Sequence, residues 1–312
     1  MKNNRDLNSI KRNGNVFFWV MLALPLLQFA IFYVGVNFNS ILLAFKSYEN
    51  YTGKVVTKWI AFGNFEEIFR TWKTGTLLKT AVLNSFKYLA IDILVVMPIC
   101  VAFGYYIYKK FALSGLFKVL IFAPSIICIM VIVIFFKLFV EDALRNLINE
   151  KSGKFIESFF LQRKYAFYPL TVFYLMMGFS GNLLLYINAM SNVSDSVMEA
   201  ATIDGAGEFR TFISIVIPAI YKTCVSLIII SIAAVGSNQA FIHSFYGSKN
   251  APEYTQTLGY HLFNLVASGG NDGDDPTRYP IAAAYGILVT IAVVPVTMVM
   301  KWLLNKVGPS ED

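Results

Sequence analysis

Apolar residues in this chain fall into long unbroken runs, not into the alternation of a strand or the narrow stripe of a surface helix. A hydrocarbon core of about 30 Å needs about 20 apolar residues in helical form, because the bilayer offers backbone groups no partner and the helix satisfies them internally. Six stretches meet that requirement: 16–36, 88–108 (its start reaching back to Asn84), 119–140, 167–187, 223–243 and 281–300. The pattern predicts an all-α polytopic membrane protein with six transmembrane helices. Pro25, Pro98, Pro124 and Pro295 lie inside these runs. Helices that carry them kink and pack together, since neighbours re-satisfy the freed carbonyls.

Composition agrees with the pattern. Of 312 residues, 56% are hydrophobic and 14% charged, with a formal net charge of +7. This is too apolar for a water-soluble domain, a disordered chain or a nucleic-acid-binding module. Cys100, Cys128 and Cys224 are odd in number and sit in apolar runs, which gives a disulfide framework no footing. The first run follows a basic tail (1–15) but is too long for a secretory signal and has no small-residue cleavage site after it. That tail, Lys109 with Lys110, and Lys301 with Lys306 fall on one side, which the positive-inside rule makes cytoplasmic. Both termini are then inside, connections 38–80, 141–166 and 244–280 face outward, and 306–312 is a short tail. One large connection, 188–218, faces the cytoplasm.

Within that connection, Asp195-Ser196-Val197-Met198-Glu199 has the form of a capping box between Ser196 and Glu199, so a short helix is expected there. Gly205 is its expected end, being able to adopt a left-handed cap. A second helix is predicted to place Phe209, Phe212, Ile213, Val216 and Ile217 on one face until Pro218 interrupts it. On pattern alone, the segment is equally an interfacial helix lying in lipid headgroups.

The run Glu199-Ala200-Ala201-Thr202-Ile203-Asp204-Gly205-Ala206, followed by Phe212, Ile215 and Pro218, resembles the EAA loop of ATP-binding-cassette importer permeases in its carbohydrate-importer form. Trp59, Asn64, Phe65, Ile68 and Phe69 resemble the W…NY..LF stretch of one permease type, Asn84-Ser85 the Asn-Thr heading the next span, and Thr255, Thr257, Leu258 and Tyr260 the segment before the last span. The Gly-Gly-Pro usual before that segment is missing, with Pro252 in a comparable place.

The resemblance implies a type I importer permease of the prokaryotic inner membrane, with a permease domain over 16–305. It is a passive half-pore, not an enzyme and without catalytic residues, working with a second homologous permease chain, two cytoplasmic ATPases that bind ATP and Mg, and an extracytoplasmic solute-binding protein. The chain agrees with the passive part, since Gly53-Lys54 and Gly153-Lys154 lack the rest of a phosphate-binding loop. Glu199, Ala200, Ala201, Asp204, Gly205, Ala206, Arg210 and Pro218 then form the ATPase-coupling set, with Glu199 pairing with a basic residue in the ATPase cleft. An importer of a non-sugar solute, or a secondary transporter, is the alternative.

An uncharged, hydroxyl-rich solute needs amide, hydroxyl and aromatic partners. Asn182 and Tyr186 in the fourth span, and Ser231, Ser237, Asn238 and Gln239 in the fifth, supply them. Of these, Asn182, Tyr186, Ser237, Asn238 and Gln239 are the pathway candidates; interhelical hydrogen bonding is their alternative role. Asp92 is the one carboxylate deep in a span, where an intramembrane charge reads as functional by default and a structural pairing with Lys87 or Lys137 is the equal alternative. The acidic glycine-rich stretch 269–275 does not fit an EF-hand, and His243 and His261 have no second ligand at metal spacing. Residues 59–69 are expected to form a short amphipathic helix on the outer membrane surface or part of a binding-protein dock.

Overall fold

The computed structural model describes residues 4–51, 54–153, 155–248, 250–267 and 278–308. Helix α1 runs through Asn4–Gln28, a π-helical turn Phe29–Gly35 and Val36–Leu43, so most of the basic tail is already helical. There follow β1 Lys46–Tyr51, β2 Lys54–Trp59, α2 Gly63–Thr74, α3 Leu77–Tyr108, α4 Ser114–Ile126, α5 Ile129–Lys151 and α6 Phe167–Ser191. The remainder comprises α7 Asp195–Ile203, α8 Glu208–Ala219, α9 Tyr221–Gly236, α10 Ile242–Tyr246, α11 Leu258–Ala267 and α12 Arg278–Val307. Among the described residues, four helices are long and apolar enough to cross a membrane, and up to six if the bent pairs α4–α5 and α8–α9 each count as one span. The stretch 269–275 lies outside the described residues.

The chain divides into two compact units, Met1–Ile68 with Asp275–Ile287, and Phe69–Asp274 with Leu288–Asp312. In the first, β1 and β2 form an antiparallel hairpin with Lys46 opposite Trp59 and Tyr51 opposite Lys54. The hairpin departs from an all-helical expectation, and helix starts only at Gly63, after Trp59 has ended a strand. The buried Asn64 amide donates to the carbonyls of Ala44 and Lys46, both at 2.8 Å, tying the end of α1 and the start of the hairpin to α2. Phe45 stacks on Trp59 at 5.9 Å and meets Phe65 at 5.6 Å, so the W…NF pattern forms an aromatic clasp.

In the second unit, Val96, Cys100 and Tyr105 of α3 pack with Tyr186 and Met190 of α6, Val216 of α8, and Ile220 and Cys224 beyond it. A second cluster joins Val133 and Val140 of α5, Leu170 and Phe173 of α6, and Phe160 and Phe245.

Two expected spans are not single helices. The stretch 119–140 breaks between α4 and α5 with a bend of 102°. Ile127 and Cys128 are extended there, with ψ of 143° and 129°. Pro124 has no N–H for the helical ladder, and the Ser125 hydroxyl donates to the Phe122 carbonyl at 2.8 Å, both of which favour leaving the helix. The stretch 223–243 stays helical only to Gly236. Ala240 and Phe241 then take left-handed conformations, φ 47° and 59°. Side chains replace the lost ladder: Asn238 Oδ1 accepts from the Ala240 N–H at 2.9 Å, and the Thr257 hydroxyl donates to the Asn238 carbonyl at 2.9 Å.

Candidate functional site: an exposed bend and a polar cleft

Helix α7 begins two residues before the position at which the capping box placed it. Its N-cap is Ser194, with no side-chain cap bond, and the Ser194 and Ser196 hydroxyls pair at 2.7 Å. The third helical position is therefore Val197, not Glu199, so the Ser196–Glu199 box is two residues out of register and does not form. The helix ends as its glycine requires. The Gly205 N–H donates to the Thr202 carbonyl at 3.1 Å and the Ala206 N–H to the Ala201 carbonyl at 2.9 Å, with Gly205 at φ +75°. These paired bonds make a Schellman cap, which an L side chain at that position would strain.

This bend points outward. Glu199, Ala200, Asp204, Gly205, Arg210 and Pro218 are exposed and Ala206 is half-buried, while Ala201 packs inward at 7% exposure. Ile203 is 85% exposed, an isolated apolar side chain with no cover from its own chain.

The bend is fastened through α8. The Tyr105 hydroxyl donates to Glu208 Oε2 at 2.6 Å, and Lys109 Nζ lies 3.1 Å from Oε1. The Tyr105 hydroxyl foremost, with Lys109 beside it, holds the Glu208 carboxyl below the usual carboxylate range against the opposing effect of burial. Tyr105 also packs on the Phe212 ring at 4.8 Å. The predicted face of α8 is buried in part: Val216 is buried and Phe212 and Ile217 pack against the core, while Phe209 is 77% and Ile213 45% exposed and Thr211 is buried as well. A π-helical turn over Phe212–Val216 widens the repeat there. Glu208 was invisible as an anchor in the sequence, because its partners Tyr105 and Lys109 belong to the far end of α3.

On the other side of the same core, a cleft of about 430 Å³ is lined by Asp92, Tyr174, Asn182, Ser237, Asn238 and Gln239, with Phe241 among its apolar walls. Four of the five pathway candidates thus meet in one place. Tyr186 is buried and instead lines a narrower space of about 50 Å³, which shares Asp92 and Asn182 with the cleft and includes Ser231. Asp92 does not pair with a lysine. Its Oδ2 accepts from the Tyr174 hydroxyl at 2.8 Å, and Tyr174 in turn accepts from Asn238 Nδ2 at 2.8 Å. Lys87 reaches Asn84 and the Phe167 ring, and Lys137 donates to the Phe245 carbonyl. Both lysines find neutral partners closer than the carboxylate.

The non-helical lining 237–241 is held by residues far away in sequence. Asn84 Nδ2 donates to the carbonyls of Tyr254 and Gln256 at 2.9 and 3.0 Å, and the Ser85 hydroxyl accepts from the Leu258 N–H at 2.8 Å. Thr257 then reaches the Asn238 carbonyl as described. At Gly259, a Cβ would stand 2.5 Å from the Ser237 carbonyl carbon, so the backbones touch. The Asn-Ser pair heading α3 and the Thr-x-Thr-Leu-x-Tyr segment are therefore two halves of one joint.

The model of the binding-protein-dependent transport system inner membrane component family matches residues 94–309. The chain belongs to that family. This permease is 24% identical over 309 residues to the lactose transport system permease protein LacF of Rhizobium radiobacter, covering 95% of each chain. It is 26% identical over 251 residues to the protein LplB of Bacillus subtilis, covering 78% of this chain and 77% of that one. Its fold matches a chain of a bacterial ABC transporter that imports the acidic polysaccharide alginate, with TM-score 0.76, 17% identity, and coverage of 98% and 100%. The architecture is accordingly that of a type I ABC importer permease, a multi-pass inner-membrane transport subunit.

Proposed function

We propose that this permease forms half of an ATP-driven pathway for an oligosaccharide, and that α7 with its Gly205 bend is the handle by which a separate cytoplasmic ATPase moves it. The carrying observation is the exposed bend fastened behind: Glu199 and Ile203 face outward, while Met198, Phe212 and Val216 pack into the core shared with α3 and α6. ATP-driven closure of two ATPases displaces two such handles, one from each permease chain, and switches the helix packing between inward- and outward-facing states. Asn182, Ser237, Asn238 and Gln239 line the solute path, and an extracytoplasmic binding protein delivers the solute. The carbohydrate class is supported by the sugar transport named for LacF and the polysaccharide import named for the alginate system.

The test is transport in cells or proteoliposomes carrying the full complex. Glu199→Lys and Gly205→Pro should insert at normal levels but abolish solute-stimulated ATP hydrolysis and uptake, and a cysteine at Ile203 should cross-link to the ATPase chain. Normal uptake in both variants, with no cross-link, would sink the coupling role.

A further inference from the structure

The side chains of the cleft restrict the cargo more narrowly than its class. Asp92 is the only acidic or basic residue among those lining the 430 Å³ cleft, and no lysine, arginine or histidine is present there. The same holds for the narrower space it shares with Asn182 and Tyr186. The hydrogen bonds leading to Asp92 have a defined direction. Asn238 Oδ1 is occupied by the Ala240 N–H at 2.9 Å, which turns Nδ2 toward the Tyr174 oxygen at 2.8 Å. Having accepted that bond, Tyr174 directs its own proton to Asp92 Oδ2 at 2.8 Å. The carboxylate is thus set up as an acceptor with its second oxygen left for a ligand, as Asp92 makes no other hydrogen bond or ion pair among the described residues. Around it, the Asn182 and Gln239 side chains likewise make no hydrogen bond among the described residues, and Phe241 presents a ring.

We propose that this cleft admits uncharged oligosaccharides and rejects those bearing uronic-acid carboxylates, with Asp92 as the selecting residue. Sugar hydroxyls donate to its free oxygen and exchange bonds with the Asn182 and Gln239 amides. A uronate carboxylate would meet a like charge with no cation beside it among the lining residues, a repulsive arrangement that disfavours binding. The fold does not decide this, since the similar fold described above belongs to an importer of an acidic polysaccharide. The side chains decide it. The inference rests on the importer reading above and deepens it.

The test is equilibrium dialysis on the purified complete transporter complex in detergent. The probes are trisaccharides of the gluco, galacto and manno series, each as the neutral sugar and as its uronic-acid counterpart. Wild type should bind only neutral members, favouring them over their uronates by at least about tenfold. Asp92→Asn should reduce that preference to within about threefold, while Tyr174→Phe, which keeps the carboxylate, should leave uronates excluded. A wild-type complex that binds a uronate as well as its neutral twin, binds no trisaccharide at all, or discriminates unchanged as Asp92→Asn would overturn the proposal. If Asp92→Asn fails to assemble, the wild-type preference and Tyr174→Phe decide. Failure here with uncoupling intact in Glu199→Lys removes only the charge selection, whereas normal uptake in the coupling variants removes the coupling role of α7 and leaves the charge selection standing.

Discussion

Glu208 shows how much a single side chain contributes to a moving part. It holds α8 to the end of α3 through a 2.6 Å bond from Tyr105 and an ion pair with Lys109 at 3.1 Å. Tyr105→Phe keeps the ring against Phe212 and removes only the hydroxyl. A bond to a charged group contributes about 1.5 to 3 kcal/mol when shielded, and exposure of this carboxylate brings the expected loss below that range, to about 1 kcal/mol. Thermal unfolding in detergent measures that loss, and ATP hydrolysis that continues without uptake measures the slack it introduces. The pH dependence follows from the depressed carboxyl. The tie contributes fully above the ordinary glutamate pKa of about 4.3 and is lost only as pH falls through the lower folded-state value. Glu208→Gln at neutral pH should therefore reproduce the coupling of wild type at strongly acid pH, and coupling in wild type should be flat from pH 5 upward on this group's account. At Gly205, φ of +75° makes Gly205→Ala cost about 1 kcal/mol of strain in the bend. Weaker co-purification of ATPase subunits, with normal membrane insertion, is the expected reading.

Among the elements, those set by local pattern were legible in sequence and those set by distant partners were not. The long apolar runs announced α1, α3, α6 and α12, because hydrocarbon leaves helix as the only local solution. The glycine end of α7 was legible for the same reason, its two cap bonds lying within six residues. The break after Gly236 was not, since the groups that stabilise it include Thr257 and, behind that, Asn84 and Ser85 of α3. Asn182, Ser237, Asn238 and Gln239, singled out by their chemistry, come together in one cleft, but the last three were assigned to a helix that ends at Gly236. The hairpin was missed because a run such as Lys54-Val55-Val56-Thr57 is too short to register beside a membrane span. This dependence on the joint can be tested. Thr257→Val leaves the Asn238 carbonyl without its donor, a cost of about 1 to 3 kcal/mol. Gly259→Ala forces a Cβ to within 2.5 Å of the Ser237 carbonyl carbon, a rigid neighbour, with a cost of similar size. Both variants should lower solute affinity of the assembled complex several-fold while leaving ATPase docking unchanged; lost docking with retained affinity would assign the joint to the wrong end of the chain.

For the whole chain, the broken helices decide its topology. Four unbroken helices, and a bend of 63° between α8 and α9, leave α4–α5 as the critical pair, since a 102° bend is compatible with crossing the bilayer once or turning back. If the pair crosses, both termini and α7 share one side. If it returns, everything after residue 151 is inverted and α7 faces away from the ATPases. The physics favours crossing. Extended backbone at Ile127 and Cys128 is tolerated in hydrocarbon only where protein covers it, and here Ile126 is 83% and Ile127 50% exposed. The basic residues that follow spans also choose this arrangement, with Lys109 and Lys110 after α3 and Lys301 and Lys306 near the end of α12 falling on one face only if α4–α5 crosses. Reporter fusions resolve the parity. If the pair crosses, alkaline phosphatase joined after Arg163 should be active, and fusions after Asn192 and after Val307 should be inactive. Inactivity at Arg163 together with activity at Asn192 would show that the pair turns back, and the Gly205 bend would then be on the wrong side of the membrane to be driven by ATP.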